Sequence, residues 1–158
     1  MRLMLDTNIT IDFMLSRKPH DVDVRKLMLL GYLQEVELWV SGAQINDLFY
    51  VLTGGGKPAL NDDAKQRLKK LRQCVHIYRV GEQEVDATLS CTWSDLEDAC
   101  LYYSALNLKV DYIITRNQQD FILSSIRTFD ATEFFAYLEE YEGVTYQEIN
   151  LTDEESAD

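Results

Sequence analysis

The sequence predicts an α/β fold, arranged as a three-layer α/β/α sandwich around a mainly parallel central sheet of four to five strands. Two observations predict it. Short apolar segments rich in β-branched residues alternate along the 158 residues with longer segments of helical periodicity, and this alternation is typical of parallel sheets. In addition, no repeat or long linker divides the chain, whose length suits one domain.

The first half of the chain supplies two strands and four helices. Asp21 and Asn61 are expected to cap the second and fourth helices, and the glycines at 54–56 with Pro58 form the strongest break. The predicted elements are a strand at 2–6, a helix to about residue 16, a helix at 21–33, a strand at 37–41, a helix at 43–52 and a helix from 61.

The second half supplies the remaining strands and ends in an acidic extension. The predicted domain covers residues 1–140, and residues 141–158 are expected to form an extension with an edge strand followed by a mobile tail. The predicted elements of the second half are strands at 75–80, 111–115 and 126–129, helices at 82–91 and 94–106, a helix capped by Asp130, and the edge strand at 144–149.

Charge is distributed unevenly along the chain. The net charge is −12, but eight acidic residues lie in the last twenty positions, which leaves residues 1–138 with a net charge of −4. A nucleic-acid-binding protein is more often basic. No apolar segment approaches the roughly 20 residues of a membrane span, and Asp6 interrupts any secretory pattern, so we expect a cytoplasmic protein. Two histidines and three irregularly spaced cysteines argue against a zinc site.

Polar residues follow two of the predicted strands at the point where each strand ends. Asp6 and Asn8 come directly after the first strand, and Asn117 and Asp120 follow the fourth. Ligands of open parallel sheets bind outside the carboxyl ends of the strands, so these side chains are candidates for one site. The alternative is local structure, because Asp and Asn also cap helices and stabilise turns.

A third acidic cluster lies at 94–98. Ser94 followed by Glu97 has the spacing of a capping box, and Asp95 in the first turn favours the helix dipole. Those three residues need no further role. Asp98 lies beyond the cap among apolar residues, and a buried carboxylate there requires a partner, of which a metal ion is one candidate.

Two further features have both a structural and a functional interpretation. Asp47 lies inside an apolar helix, either as a site residue or on an exposed polar face shared with Gln44. The basic segment at 65–72 is either a solvated helix face or a phosphate-binding surface.

Together these segments resemble the PIN domain family, metal-dependent ribonucleases best known from the toxins of VapBC toxin–antitoxin pairs. Three segments carry the resemblance: MLDTN at 4–8, WSDLEDA at 93–99 and IITRNQQDF at 113–121. It extends from residue 1 to about 138. It is strongest to the subgroup whose late motifs read DxEDA and TRNxxDF.

The resemblance implies a Mg²⁺ or Mn²⁺ site whose catalytic, metal-binding carboxylates are Asp6, Asp47, Asp98 and Asp120. One departure is that the family usually has Glu where this chain has Asp47, and Mg²⁺ requires near-ideal octahedral geometry. The metal site is therefore expected to be weakened, or completed by a bridging water. The implied supporting residues are Thr7, Asn8, Asp95, Glu97, Thr115 and Asn117.

The function expected from the resemblance is endoribonucleolytic cleavage of RNA by a metal-activated water. Arg116 and the basic residues Lys65, Lys69 and Arg72 are expected to guide the RNA backbone. A small antitoxin and a second copy of the chain are candidate partners. The first alternative is a non-catalytic PIN-fold module that binds RNA or protein, and the second is a phospho-acceptor receiver domain, which is also α/β with an Asp after a strand.

Overall fold

The central feature of the fold is a parallel sheet of five strands, seen in the computed structural model, which describes residues 1–146. Helices cover both of its faces, so the predicted three-layer α/β/α class is confirmed. The strands are β1 (Arg2–Leu5), β2 (Glu37–Ser41), β3 (His76–Tyr78), β4 (Tyr112–Ile114) and β5 (Thr128–Phe129).

Seven α-helices connect the strands within the described residues. None of these helices is both long enough and apolar enough to cross a bilayer. Two 3₁₀ turns, at Pro58–Leu60 and Gln118–Phe121, and a π-helical turn at Leu138–Glu142 complete the structure. The helices are α1 (Thr7–Leu15), α2 (Asp21–Tyr32), α3 (Gln44–Leu52), α4 (Asn61–Cys74), α5 (Glu82–Ser90), α6 (Leu96–Leu108) and α7 (Ala131–Tyr137).

The strand order is β3-β2-β1-β4-β5, with every neighbouring pair parallel. The chain first builds outward from β1 through β2 to β3, then returns to place β4 on the other side of β1. The crevice between β1 and β4 is therefore the topological switch point, where ligands of such sheets bind. Receiver domains of the CheY type have the order 2-1-3-4-5, so the receiver alternative is excluded.

Alternation along the strands gives each face of the sheet its own core. Leu3 and Leu5 of β1 pack into the larger core with α1, α2, α4 and α7. Met4, between them, points to the opposite face and packs with residues of α6 such as Leu101 and Tyr102. All five side chains are buried, as expected for a strand covered on both faces.

A buried carboxylate ties α5 to its surroundings. Glu84 Oε1 accepts hydrogen bonds from the Tyr78 hydroxyl at 2.6 Å and from Asn107 Nδ2 at 2.7 Å. Its other oxygen accepts from the Gly81 backbone N–H at 2.7 Å. These donors lower the pKa of Glu84 to about 2, the Tyr78 hydroxyl contributing most, and burial next to this carboxylate raises the pKa of Tyr78 to about 12.

Several predicted boundaries and caps differ from the structure. Asp130 caps α7 as predicted, because its Oδ1 accepts from the Glu133 N–H at 2.8 Å. Asp21 and Asn61 instead are the first residues of their helices and cap neither. Helical structure continues across residue 140. Residues 144–146 belong to no helix or strand, and the rest of the predicted edge strand and tail, at 147–158, lies outside the described residues.

Candidate active site

A cleft lies at the carboxyl ends of β1 and β4, at the switch point of the sheet. It has a volume of about 280 Å³. It brings together residues from the three segments that the sequence singled out, at 4–8, 93–99 and 113–121. The first of these segments lies more than a hundred positions before the third. The lining residues are Asp6, Thr7, Asn8, Ile11, Arg17, Asp95, Glu97, Asp98, Asn117 and Asp120.

Asp6 lies at the base of the cleft, only 6 % exposed. Although it precedes α1, its side chain makes no capping hydrogen bond. Its Oδ2 atom instead accepts from Thr115 Oγ1 at 2.6 Å and from Asn8 Nδ2 at 2.5 Å. Burial raises the pKa of the Asp6 carboxyl, and the Thr115 hydrogen bond opposes that rise. The capping alternative for Asp6 is therefore not the one the structure adopts.

Asn8 and Thr115 connect the ends of the two central strands. Asn8 Oδ1 accepts from the Arg116 backbone N–H at 3.2 Å, and Thr115 Oγ1 accepts from the Asn117 N–H at 2.9 Å. Thr115 is fully buried. The two side chains thus fix the loop after β4 relative to Asp6, and that loop carries Asn117 and Asp120 into the cleft.

The start of α6 is organised differently from the predicted capping box. Asp95, not Ser94, is the cap: its Oδ1 accepts from the N–H groups of Glu97 at 2.8 Å and Asp98 at 3.2 Å. The Glu97 side chain is thereby available for another contact and accepts from Thr7 Oγ1 at 2.7 Å. The interpretation of Ser94 and Glu97 as a capping box was wrong, and Glu97 belongs to the cleft.

Asp98 has the most perturbed carboxyl of the cleft. Burial is the main cause that raises its pKa to about 7, and the neighbouring charges of Asp6, Asp95, Asp120 and Glu97 add to it. Like charges held close together disfavour ionisation of each other. The cleft thus concentrates negative charge that a bound cation would relieve.

Gln44 supports the cleft from outside its lining. The sequence interpretation missed this role, because it named Gln44 only as part of an exposed polar face. Gln44 is buried, and its Oε1 accepts from the Ser41 N–H at 2.7 Å. Its Nε2 donates to the Leu5 carbonyl at 3.1 Å and to Thr7 Oγ1 at 3.0 Å, which links α3 to the end of β1. Gln44 has helical spacing to the buried residues Leu48 and Leu52; that spacing was the available signal.

Asp47 lies one turn after Gln44 on α3, but the structure does not bring it into the cleft. It is exposed, and its carboxylate forms no hydrogen bond or ion pair with another residue in the range 1–146. It is also absent from the cleft lining. Of the four acidic residues proposed as metal ligands, Asp6, Asp98 and Asp120 therefore share one cleft and Asp47 stands outside it.

Arg116, expected to contact RNA, is engaged inside the protein. Its Nε lies 2.7 Å from Oδ2 of Asp12 on α1, and Asp12 is 0 % exposed. Neither oxygen of Asp12 has an aligned hydrogen-bond partner among the described residues, so the pair is held by charge. This ion pair joins α1 to the loop after β4.

The predicted RNA-binding residues of α4 line a different surface. Lys65, Lys69 and Arg72 border an apolar groove of about 350 Å³ whose lining includes Ile45 and Ile77. No lining residue is common to this groove and the acidic cleft. The one cation that lines the cleft within residues 1–146 is Arg17, which the sequence interpretation did not single out.

The side chains of the cleft fit a hard divalent cation by their chemistry. Their donors are carboxylate, amide and hydroxyl oxygens, which Mg²⁺ and Mn²⁺ prefer. A bound cation would also offset both causes of the raised pKa of Asp98, which are burial first and the neighbouring carboxylate charges second. In residues 1–146, however, no three acidic, histidine or cysteine side chains converge on a single point. Mg²⁺ commonly binds through one or two carboxylates and keeps several waters, and this mode suits the cleft.

Sequence comparison identifies one matching family. A family model described as "PIN domain" matches residues 2–119, three quarters of the chain. No curated protein sequence matches the chain significantly.

Solved structures with the same architecture come from VapBC complexes. The DNA-bound VapBC of Salmonella typhimurium has a chain that superposes with a TM-score of 0.65 at 18 % identity, covering 83 % of this chain and 98 % of its own. A chain of VapBC2 of Rickettsia felis, bound to a promoter DNA fragment, superposes with a TM-score of 0.64 at 15 % identity. The match covers 82 % of this chain and 98 % of the Rickettsia chain. A chain of VapBC-1 of nontypeable Haemophilus influenzae superposes with a TM-score of 0.61 at 20 % identity. The match covers 84 % of this chain and 99 % of the Haemophilus chain. Such identities establish a common fold alone.

Proposed function

The chain belongs to the PIN domain family, and on that premise we propose that it is a metal-dependent endoribonuclease that hydrolyses RNA phosphodiesters. The observation that carries this proposal is the cleft in which Asp6, Asp98 and Asp120 meet at the switch point of the sheet. Charged side chains are rarely placed together in a concave, partly buried site without a catalytic or binding role.

In this proposal, Asp6, Asp98 and Asp120 hold Mg²⁺ or Mn²⁺. A bound ion of this kind lowers the pKa of a water molecule and offsets the charge that develops on the phosphate. Thr115 and Asn8 hold the Asp6 carboxylate in place through the hydrogen bonds of 2.6 and 2.5 Å. Outer partners of this type orient metal ligands in many proteins.

Arg17 is the residue we propose for contact with the RNA backbone. It lines the cleft beside the carboxylates and forms no ion pair with another residue in 1–146. Arg116, by contrast, is paired with Asp12, and Lys65, Lys69 and Arg72 border the separate groove. A guanidinium suits this role because its planar fork matches the oxygens of a phosphate.

A small antitoxin is the protein partner we propose, bound over the acidic cleft. The support is indirect: the structural neighbours named above were solved as VapBC complexes. Assignment to the subgroup with DxEDA and TRNxxDF motifs, and assembly as a homodimer, stay predictions from the sequence.

The experiment is an RNA cleavage assay with the purified chain in Mn²⁺ or Mg²⁺, compared with EDTA. Cleavage is expected only with metal, and Asp6→Asn should abolish it. Asp47→Asn is the matched control, a carboxylate of the same type outside the cleft, and it should retain most of the activity. Metal-independent cleavage, or full activity in Asp6→Asn, would contradict the proposal.

A second candidate function is a non-catalytic module that binds RNA or protein, favoured by one observation: Asp47, the counterpart of a family Glu, lies outside the cleft. Calorimetric titration with Mn²⁺ separates the two functions. An enzyme should bind Mn²⁺ in the wild type and lose that binding in Asp98→Asn, whereas a module without a metal site should give no carboxylate-dependent heat in either protein.

A further inference from the structure

A further cavity lies beside the acidic cleft, along edge strand β5, α7 and the π-helical turn at Leu138–Glu142. Its volume is about 400 Å³. We refer to it as the aromatic pocket, whose lining includes Gln118, Arg127, Glu133, Tyr137, Glu140 and Tyr141. Nothing in the proposed cleavage site requires these residues.

The aromatic pocket is built from stacked planar groups. The Arg127 guanidinium lies 4.5 Å from the ring centroid of Phe129 and 4.7 Å from that of Tyr137. Tyr141 stacks on Tyr137 with centroids 5.1 Å apart and ring planes 27° apart. Tyr141 is nevertheless 67 % exposed, so one face of this stack is open to a further planar group.

The pocket and the cleft are joined by consecutive residues. Asn117 lines the cleft and Gln118 lines the pocket, and neighbouring Cα atoms are about 3.8 Å apart. The Gln118 amide donates to the Glu133 carboxylate, which also accepts from the Asp130 backbone N–H at 3.1 Å. The wall between the two cavities is therefore fixed to the start of α7.

The charges of the pocket select the part of a nucleotide that it could accept. Its charged side chains are the carboxylates of Glu133 and Glu140 and the guanidinium of Arg127. The pocket therefore carries a net negative charge, which disfavours a phosphate. An uncharged base meets no such repulsion, can stack on tyrosine or arginine planes, and can donate amino protons to a carboxylate.

We propose that the aromatic pocket binds one unpaired base of the RNA, next to the phosphate held in the acidic cleft. This inference rests on the proposed ribonuclease function for its substrate class. It makes Tyr141 and Arg127 determinants of substrate affinity that take no part in the chemistry at the carboxylates. Because a base in a duplex is already stacked and paired, the pocket is expected to prefer single-stranded RNA over a duplex.

The test measures binding separately from cleavage. Fluorescence anisotropy with a labelled single-stranded oligoadenylate, in the Asp6→Asn background that does not cleave, gives the Kd. Tyr141→Ala should weaken binding about five- to one-hundred-fold, the range found for loss of one stacked base. Tyr141→Phe should bind as tightly as the parent. Tyr50→Ala removes a similarly exposed tyrosine (62 %) from α3 and should change nothing.

An abasic oligonucleotide completes the cycle. Removal of the base that occupies the pocket should weaken binding to the parent as much as Tyr141→Ala does, and the two changes together should add no further loss. If Tyr141→Ala binds the intact oligonucleotide like the parent while the wild type cleaves RNA, the pocket proposal is wrong and the ribonuclease stands. A different result is that the wild type cleaves no RNA while Tyr141→Ala and the abasic change still weaken binding without adding to each other. That result would support the base-binding pocket and contradict the ribonuclease proposal.

Discussion

Thr115 donates a 2.6 Å hydrogen bond to Asp6 across 109 positions of sequence. Both residues are buried, and each follows the last residue of a central strand, β4 and β1, respectively. The contact holds a metal-binding carboxylate of the proposed site at the switch point of the sheet, so its removal tests whether the geometry of Asp6 matters.

Replacing Thr115 with Val keeps the side-chain shape and removes this hydrogen bond, together with those that Thr115 Oγ1 accepts from Asn8 Nδ2 and the Asn117 N–H. We expect Mn²⁺ affinity to fall about ten- to one-hundred-fold, the usual effect of losing an outer partner of a metal ligand. Thr115→Ser keeps the hydroxyl and should bind Mn²⁺ like the wild type. Isothermal titration calorimetry measures both, and equal affinities for the Val and Ser variants would contradict the role assigned to Thr115.

The carboxyl of Asp98 predicts a pH-dependent gain in stability on substitution. Its pKa is raised from 3.8 to about 7, so the folded protein holds this proton more tightly than the unfolded chain and loses stability as pH rises from about 4 to 7. Asp98→Asn removes the charge. In EDTA its Tm should exceed that of the wild type at pH 8, and the difference should vanish near pH 4. A gain of equal size at both pH values would show that ionisation of Asp98 is not its cause.

Glu84 has the opposite pH dependence. Its pKa is lowered from 4.5 to about 2, so its stabilising effect is fully present above about pH 4.5 and is lost as pH falls towards 2. The shift corresponds to roughly 3 kcal/mol at neutral pH. Urea denaturation should show Glu84→Gln less stable than the wild type by about this amount at pH 7, with the gap closing near pH 2. An unchanged gap between these pH values would contradict the assignment.

The ion pair between Arg116 and Asp12 predicts a structural cost for losing the arginine. Arg116→Ala leaves the fully buried Asp12 carboxylate without its counter-charge, which typically costs 3–5 kcal/mol of unfolding free energy. Adding Asp12→Leu removes the stranded charge and should recover most of that loss. Denaturant titration of the single and double variants measures these changes in unfolding free energy. A single variant as stable as the wild type would instead favour the original assignment of Arg116 to RNA.

Much of the fold was predictable because its signals are local. A few consecutive residues are enough to predict each of these features: the apolar strands, the helical periodicity and the Asp130 cap. The meeting of Asp6 with Asp120 also followed from sequence order, because each comes after a strand and parallel strands bring their carboxyl ends to one edge. Asp98 lies in the first turn of α6, and the resemblance to PIN domains is what placed it with them.

What the sequence did not reveal depends on packing between distant elements. The choice of Asp95 over Ser94 as the cap is linked to the contact of Glu97 with Thr7. Gln44 is buried because its amide reaches Leu5, a partner 39 positions away. The engagement of Arg116 with Asp12 likewise requires that α1 lie beside the loop after β4. Spacing within one helix cannot distinguish these arrangements.

The strand order has a consequence for synthesis of the chain on the ribosome. β1 emerges first, but its neighbour on the cleft side, β4, starts at Tyr112, and Asp120 follows later still. A nascent chain therefore carries Asp6 without the loop that completes the cleft for most of its translation. In the proposed ribonuclease, this order would delay cleavage activity until most of the five-stranded sheet has been made, a delay that comes from topology alone.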